Sequence, residues 1–436
     1  MKAIFPEIPE IRYEGPDSRN PLAFRYFQPN KRVGSKTMAE HLRFAMAFWH
    51  SMNGGGADPF GVATAVRPWD GVSDPMERAK IKMRGVFELT TKLQIPFFCF
   101  HDRDVAPTGK TLRESNANLD EIKNLVLQLY QDYPTRLLWG TAQLFMEPKY
   151  MHGAATSPNP EVFAHAAAQV KKAIEVTKEL GGQNYVFWGG REGYETLLNT
   201  DMQRELDHLG YFLNLALDYK REIGFDGQFL IEPKPKEPTK HQYDSDAASV
   251  WGFLQEYELH RDFKLNLETN HATLAGHSMQ HELQFARAKG VLGSIDANQG
   301  DELLGWDTDQ FPTNLYGTTG VMYEVLQNGG LHSGGLNFDA KVRRPSFTTE
   351  DLVVAHIVGM DAFARGLVAA HAMIEDGVLA DNVKQRYAGY DQGIGAKIAG
   401  KSTSFTELEA AIIDAPEFTV PSGRQEYLES IVNAYL

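Results

Sequence analysis

The sequence predicts an α/β fold, a (β/α)8 TIM barrel with a C-terminal helical arm. Two observations lead there: short apolar runs rich in β-branched and aromatic residues recur along the chain, and segments of helical period lie between them. Near-continuous apolar strands joined by helix-length crossovers describe a parallel sheet covered on its outer face. The repetition of the unit decides closure, because eight strands favour a barrel over an open doubly wound sheet of about five to seven.

In order, the strand-like runs are FAMAFWHS (44–51), PFFCFHD (96–102), RLLWGTAQLF (136–145), NYVFWGG (184–190), GQFLIEPK (227–234), FKLNLETN (263–270), VLGSIDAN (291–298) and LNFDA (336–340). Between the second and third, Leu119, Ile122, Val126, Leu129 and Tyr133 form one face of a helix. Residues 1–40 read as an N-terminal extension with no strand-like run, and residues 41–371 as the barrel, its last helix ending near Ala370. In residues 372–436, glycine-containing turns alternate with helical stretches such as TELEAAIIDA and EYLESIVNAYL. This is the pattern of an oligomerisation arm on a neighbouring subunit, with packing on its own barrel as the alternative.

Composition narrows the function. Hydrophobic residues at 42% and charged residues at 23% allow a large core. No apolar run approaches the roughly 20 residues that span a bilayer, and the opening MKAIFPEIPEIRYEG lacks a signal-peptide stretch, so a cytoplasmic, non-membrane protein is expected. The single cysteine, Cys99 in PFFCF, reads as a small buried hydrophobe. A net charge of −14 without a Lys/Arg tract argues against nucleic acid.

The predicted strand ends carry the chemistry: His101, Trp139, Trp188, Glu232 with Lys234, Glu268, Asp296 and Asp339. All would point into the mouth where barrel enzymes place their active sites. Asp307 and Asp309 flank Thr308 just beyond the seventh strand, and His271 lies three residues after Glu268. Carboxylates so clustered cannot all ionise in a small cavity without counter-charge, which two divalent cations would supply. Oxygen ligands with one imidazole suit Mg²⁺, Mn²⁺ or Co²⁺ better than zinc.

Two local motifs, FHDRDVAP at 100–107 and IEPKPKEP at 231–238, give the chain its resemblance to the xylose isomerases, also called glucose isomerases, of the longer class II type. The resemblance implies an aldose–ketose isomerase acting on D-xylose and D-xylulose, and on D-glucose and D-fructose. It implies a first metal on Glu232, Glu268, Asp296 and Asp339, and a second on Glu268, His271, Asp307 and Asp309, with Glu268 bridging. His101, oriented by Asp104, would open the cyclic sugar. A hydride would then pass between C2 and C1, with Lys234 neutralising charge on O1. Trp49, Trp139, Trp188 and Phe145 would wall the pocket, with Val186 a weaker neighbour. Phe60, in the loop NGGGADPFG, would reach a neighbour's site within a tetramer.

Other signals point elsewhere more weakly. GAKIAGKS (395–402) matches the phosphate-loop pattern literally but follows no strand-like run. NGGGADPFG lacks the spacing of a dinucleotide loop. Glu205 with His208, and Glu268 with His271, have the spacing of di-iron bundles, which would leave the strand-like runs unexplained. His277 and His281 could ligate a metal, but read as a solvated helix face. The competing functions are another aldose such as L-rhamnose, metal-dependent phosphodiester hydrolysis, and sugar binding without turnover.

Overall fold

The computed structural model describes residues 3–436. Eight parallel strands close on themselves in sequence order: β1 (Phe44–Ala47), β2 (Phe97–His101), β3 (Arg136–Thr141), β4 (Asn184–Trp188), β5 (Gln228–Glu232), β6 (Phe263–Glu268), β7 (Leu292–Asp296) and β8 (Leu336–Phe338), which pairs back onto β1. Helices α1 (Pro75–Lys92), α2 (Leu112–Asp132), α3 (Pro160–Glu179), α4 (Met202–Glu222), α5 (Ala247–Glu256), α6 (Met279–Lys289), α7 (Leu315–Gln327) and α8 (Thr349–Asp376) follow the strands in turn.

Local sequence explains where these helices start. Asp74, Thr111, Asn159, Asp246 and Ser278 each accept a backbone N–H of the first turn of α1, α2, α3, α5 and α6, satisfying a donor that the helix leaves free. On α2, Leu119, Ile122, Val126 and Leu129 are buried, whereas Tyr133 lies just past the helix end and is half-buried. The long α8 is apolar enough to cross a bilayer by composition, yet 67% of that stretch is buried, as in a core helix.

The barrel interior is divided. Ala45, Cys99, Leu138, Trp139, Val186 and Leu230, from β1 to β5, form a small apolar cluster. On the opposite wall Asn266, Ser294 and Asn337 of β6, β7 and β8 are completely buried. Polar side chains at that depth need partners: Asn266 and Asn337 donate to the carboxylates above, and Ser294 donates to the Gly335 carbonyl at 3.0 Å.

Three details differ from the pattern reading. β1 stops at Ala47, and Trp49–Asn53 form one π-helical turn. β3 stops at Thr141, well short of residue 145. The N-terminal extension does hold strands, with Arg12–Tyr13 pairing with Ala23–Phe24 and Arg32–Val33 with Lys36–Thr37. Pairings this short have no alternation to read. At the other end, α8 runs to Asp376, where left-handed Gly377 ends it. Helices α9 (Val378–Tyr387), α10 (Gly393–Ala399), α11 (Phe405–Ile412) and α12 (Gln425–Asn433) complete the chain, and their side chains are mostly exposed. GAKIAGKS falls on α10 and the turn after it, with no strand before it.

Candidate metal centre

Strands β5, β6 and β7 run apolar and end on Glu232, Glu268 and Asp296, while Asp339 directly follows β8. Asp307 and Asp309 come from the loop after β7, and His271 from the short helix Thr269–Leu274 that begins directly after Glu268. Asp309 has φ +42°, a left-handed conformation that costs an aspartate on the order of 1 kcal/mol. Its carbonyl is fixed by the backbone N–H of Lys341 (2.8 Å) and the Arg343 guanidinium (3.1 Å), so the loop holds its carboxylate in place.

These groups converge on Glu268. Donor atoms of Glu232, Glu268, Asp296 and Asp339 lie within 4.8 Å of one another, as do those of Glu268, Asp307 and Asp309, and those of Glu232, Glu268 and His271. The His271 tautomer follows from its neighbours: Nδ1 is 2.9 Å from the Pro233 carbonyl and must donate to it. The Nε2 lone pair then faces Glu268 Oε2 and Asp307 Oδ2, each at 3.2 Å. Three electron-rich atoms so close need a proton or a cation among them.

Electrostatics give the same answer. Burial, reinforced by neighbouring carboxylates, raises Glu232 and Glu268 well above the ordinary carboxylate range and pushes Asp296 up to about 8. Burial would also raise Asp307, but His271, whenever Nε2 carries a proton, and Lys234 hold it well below. Lys234 Nζ is 2.6 Å from Asp307 Oδ2; burial alone would lower this ammonium, but Asp307 and Glu268 hold it above its ordinary value. The protein's own cations therefore satisfy only part of the cluster. Asp307 Oδ1 is buried with no hydrogen-bond partner. An oxygen-rich set with one imidazole and an orphaned carboxylate oxygen fits hard divalent cations.

The other wall is aromatic. The Trp49 ring lies 4.3 Å from the His101 ring and 5.4 Å from that of Trp139. Phe145 meets His101 at 5.7 Å and Trp188 at 4.4 Å, both edge-on, and Lys234 Nζ sits over the Trp188 ring at 5.5 Å. His101 Nδ1 is 2.7 Å from Asp104 Oδ2, which leaves Nε2 free. The indole N–H groups of Trp139 and Trp188 are buried without partners. Trp139 lies within β3 rather than at its end, and Val186 is fully buried in the interior cluster below Trp188. Of the residues expected at the site, Val186 thus lies beneath it, and Phe60 stands apart from it, 96% exposed.

Several contacts have no counterpart in the sequence reading. His50 Nε2 lies 2.8 Å from Asp339 Oδ1 and 3.3 Å from Asp309 Oδ2; burial opposes its charge, but these two carboxylates raise it to about 9. Trp49 Nε1 donates to Asp339 Oδ1 at 2.8 Å. Strand alternation would send Trp49 and His50 to opposite faces, whereas the π-turn delivers both to the site. The Asn266 amide donates to Glu232 (3.0 Å) and Asp296 (2.7 Å), and that of Asn298 to Glu268 (2.7 Å) and Asp309 (3.3 Å). Lys341 Nζ holds Asp309 Oδ2 at 2.8 Å.

Comparison with known proteins finds relatives along the whole chain. A family profile described as Xylose isomerase-like TIM barrel matches residues 93–310, and one described as XylA2 C-terminal domain matches residues 383–436. The xylose isomerase of Thermoanaerobacter sp. (strain X514) is 59% identical over 432 residues, 99% of each chain. That of Geobacillus kaustophilus is 58% identical over 434 residues, 100% of this chain and 97% of its own, and that of Rhodopirellula baltica 59% over 433 residues, 99% of each. A solved Rhodospirillum rubrum structure, provisionally named a xylose isomerase, superposes with TM-score 0.52 at 12% identity over 74% of this chain and 98% of its own, a likeness of fold alone.

Proposed function

This chain belongs to the xylose isomerase family, and from that premise we propose that it interconverts D-xylose and D-xylulose, and also D-glucose and D-fructose, with two divalent cations per subunit. The observation that carries the reading is the meeting of six carboxylates and one imidazole around Glu268, opposite an indole-lined wall holding His101. Glu232, Glu268, Asp296 and Asp339 would hold one cation, and Glu268, His271, Asp307 and Asp309 the other. Bound there, Mg²⁺, Mn²⁺ or Co²⁺ supplies Lewis-acid polarisation of the sugar's O1 and O2 while fixing its hydroxyls, as a hydride shift between C2 and C1 requires.

The chain's own residues do the rest. Asp104 keeps the proton on His101 Nδ1, so Nε2 is the atom that exchanges a proton with the cyclic sugar as the ring opens. Lys234 stays charged beside Asp307 and can stabilise negative charge developing on O1. Trp49, Phe145 and Trp188 exclude water, which strengthens these interactions and protects the migrating hydrogen.

The same reading assigns residues 1–40, 41–371 and 372–436 to extension, catalytic barrel and arm, in a cytoplasmic tetramer with no nucleic acid or membrane partner. Exposed apolar side chains on the arm, among them Phe405, Ile412, Ile413 and Phe418, support an interface there. The deciding assay is turnover of xylose by chelated enzyme with Mg²⁺, Mn²⁺ or Co²⁺ added back, alongside a panel that includes L-rhamnose. Faster turnover of rhamnose than of xylose would reject the substrate assignment.

Two results test the mechanism. In D₂O the product should remain largely protiated at C1, since a hydride moves between carbons; near-stoichiometric deuterium by mass spectrometry would require a base and an enediol instead. His101→Asn should slow turnover by about 10²- to 10⁴-fold with metal affinity little changed. Asp309→Asn should weaken metal by more than the tenfold lost with an outer-shell partner. Calorimetric metal titration and kcat measured on both variants would expose exchanged roles.

A further inference from the structure

Away from the barrel mouth, a second group of ligand-type side chains joins the N-terminus of α5 to the segment entering α6. It comprises Asp246, His277, His281 and Glu282. His277 precedes the helix, because Ser278 is the N-cap of α6, so the two imidazoles are not a simple pair on one helical face. Their ring centroids are 4.7 Å apart. Ligand atoms of His277, His281 and Glu282 lie within 4.8 Å of one another, and Asp246 Oδ2 is 3.4 Å from His277 Nε2.

The carboxylates are prepared for this geometry. Asp246 Oδ1 accepts the Ser249 N–H at 2.7 Å, and Glu282 Oε2 accepts the Ala247 N–H at 2.7 Å. Each acid is thus anchored by one oxygen to the first turn of α5, and its other oxygen is turned toward a histidine: Asp246 Oδ2 toward His277, and Glu282 Oε1 toward His281 Nε2 at 3.9 Å. Glu282 is buried, so its charge needs a partner, which the exposed His281 meets only loosely. Four-coordinate zinc, with bonds of about 2.0–2.2 Å, needs donors roughly 3.3–3.6 Å apart. The Asp246–His277 contact already has that spacing, and the ligand atoms of His277, His281 and Glu282 lie within 4.8 Å of one another, so the set closes by moving the exposed His281 and the half-exposed His277 and Asp246 inward.

We propose that Asp246, His277, His281 and Glu282 form a structural site for a zinc-class transition-metal ion. Two imidazoles among four ligands favour zinc, nickel or cobalt over the magnesium-type ions suited to the carboxylate centre. The ion would clamp α5 to the segment that follows helix Thr269–Leu274, steadying the element that carries His271.

The test uses the full chain in excess Mg²⁺, with Zn²⁺ as probe and elemental analysis after desalting. His277→Gln/His281→Gln should bind one zinc fewer per chain than the parent, with Mg²⁺-supported turnover within about twofold. Zn²⁺ should raise the melting temperature of the parent by several degrees and that of the double variant by less. Should the double variant fail to fold, His281→Gln alone alters an exposed side chain and should weaken zinc at least tenfold. Equal zinc counts in parent and variants, or parent zinc lost on desalting as from adventitious surface histidines, would overturn the site.

Discussion

Chelation is expected to reduce turnover at least about 10³-fold, the loss of several kcal/mol of Lewis-acid stabilisation, and to lower the melting temperature. Both follow from the same cluster. Without cations, Glu232, Glu268 and Asp296 must keep protons or repel one another, and Asp296 titrates only at about 8, raised mainly by burial and then by Asp339. An acid whose folded value lies above its unfolded value near 4 binds a proton in the folded state that the unfolded chain has released. Its contribution is fully present below about pH 4 and is lost as pH rises through about 8. The metal-free protein should therefore melt at lower temperature at pH 8 than at pH 5. Saturating Mg²⁺ should reverse that trend, because cations compete with protons for the same oxygens and bind only the folded state. Calorimetric scans of chelated and reloaded enzyme across this range decide it. Full activity with no metal by elemental analysis, or a metal-free melting temperature that climbs from pH 5 to 8, would reject the charge argument.

Most of this centre was legible because strands advertise their ends. Apolar runs that stop at Glu232, Glu268 and Asp296 place carboxylates at one mouth without any knowledge of contacts. The barrel was legible for the same reason, since each strand is covered on both faces and reads as a continuous apolar run. His50 was hidden because an expected strand through residue 51 turns it away from Trp49, whereas the π-turn after Ala47 directs both to Asp339. Asn266 and Asn298 were hidden for a different reason. A neutral amide inside a barrel carries no pattern until the acids it holds are seen. The clamp around Glu282 likewise needed the fold, because Asp246 lies far from His277 in sequence and meets it only where α5 starts beside α6.

Phe60→Ala is expected to impair turnover strongly even though Phe60 touches none of the site in its own chain. The side chain is 96% exposed, yet its loop is well held. The backbone N–H of Phe60 donates to Asp58 Oδ1 at 2.9 Å, Asp58 and Gly61 form a β-bridge, and Arg344 Nη1 donates to the carbonyls of Gly56 (3.1 Å) and Val62 (2.6 Å). A loop tied down this way presents its aromatic tip outward instead of folding it back. Burial of that ring against a partner would contribute roughly 1.5–3 kcal/mol. Leu303 and Trp306, on the loop after β7 that also opens at the barrel mouth, are exposed as well, at 95% and 52%. A second subunit covering this mouth would bury all three and set Phe60 over the facing sugar pocket, so that the dimer becomes the smallest active unit. Mixing tests this directly. An Asp309→Asn chain keeps Phe60 but has a damaged metal site, whereas a Phe60→Ala chain keeps the metal site but lacks the aromatic lid. In a hybrid dimer one pocket combines intact ligands with Phe60 from the other chain, so activity should rise above that of either parent after subunit exchange. Exchange demonstrated by mass spectrometry without any recovery of activity would place Phe60 outside the neighbour's pocket.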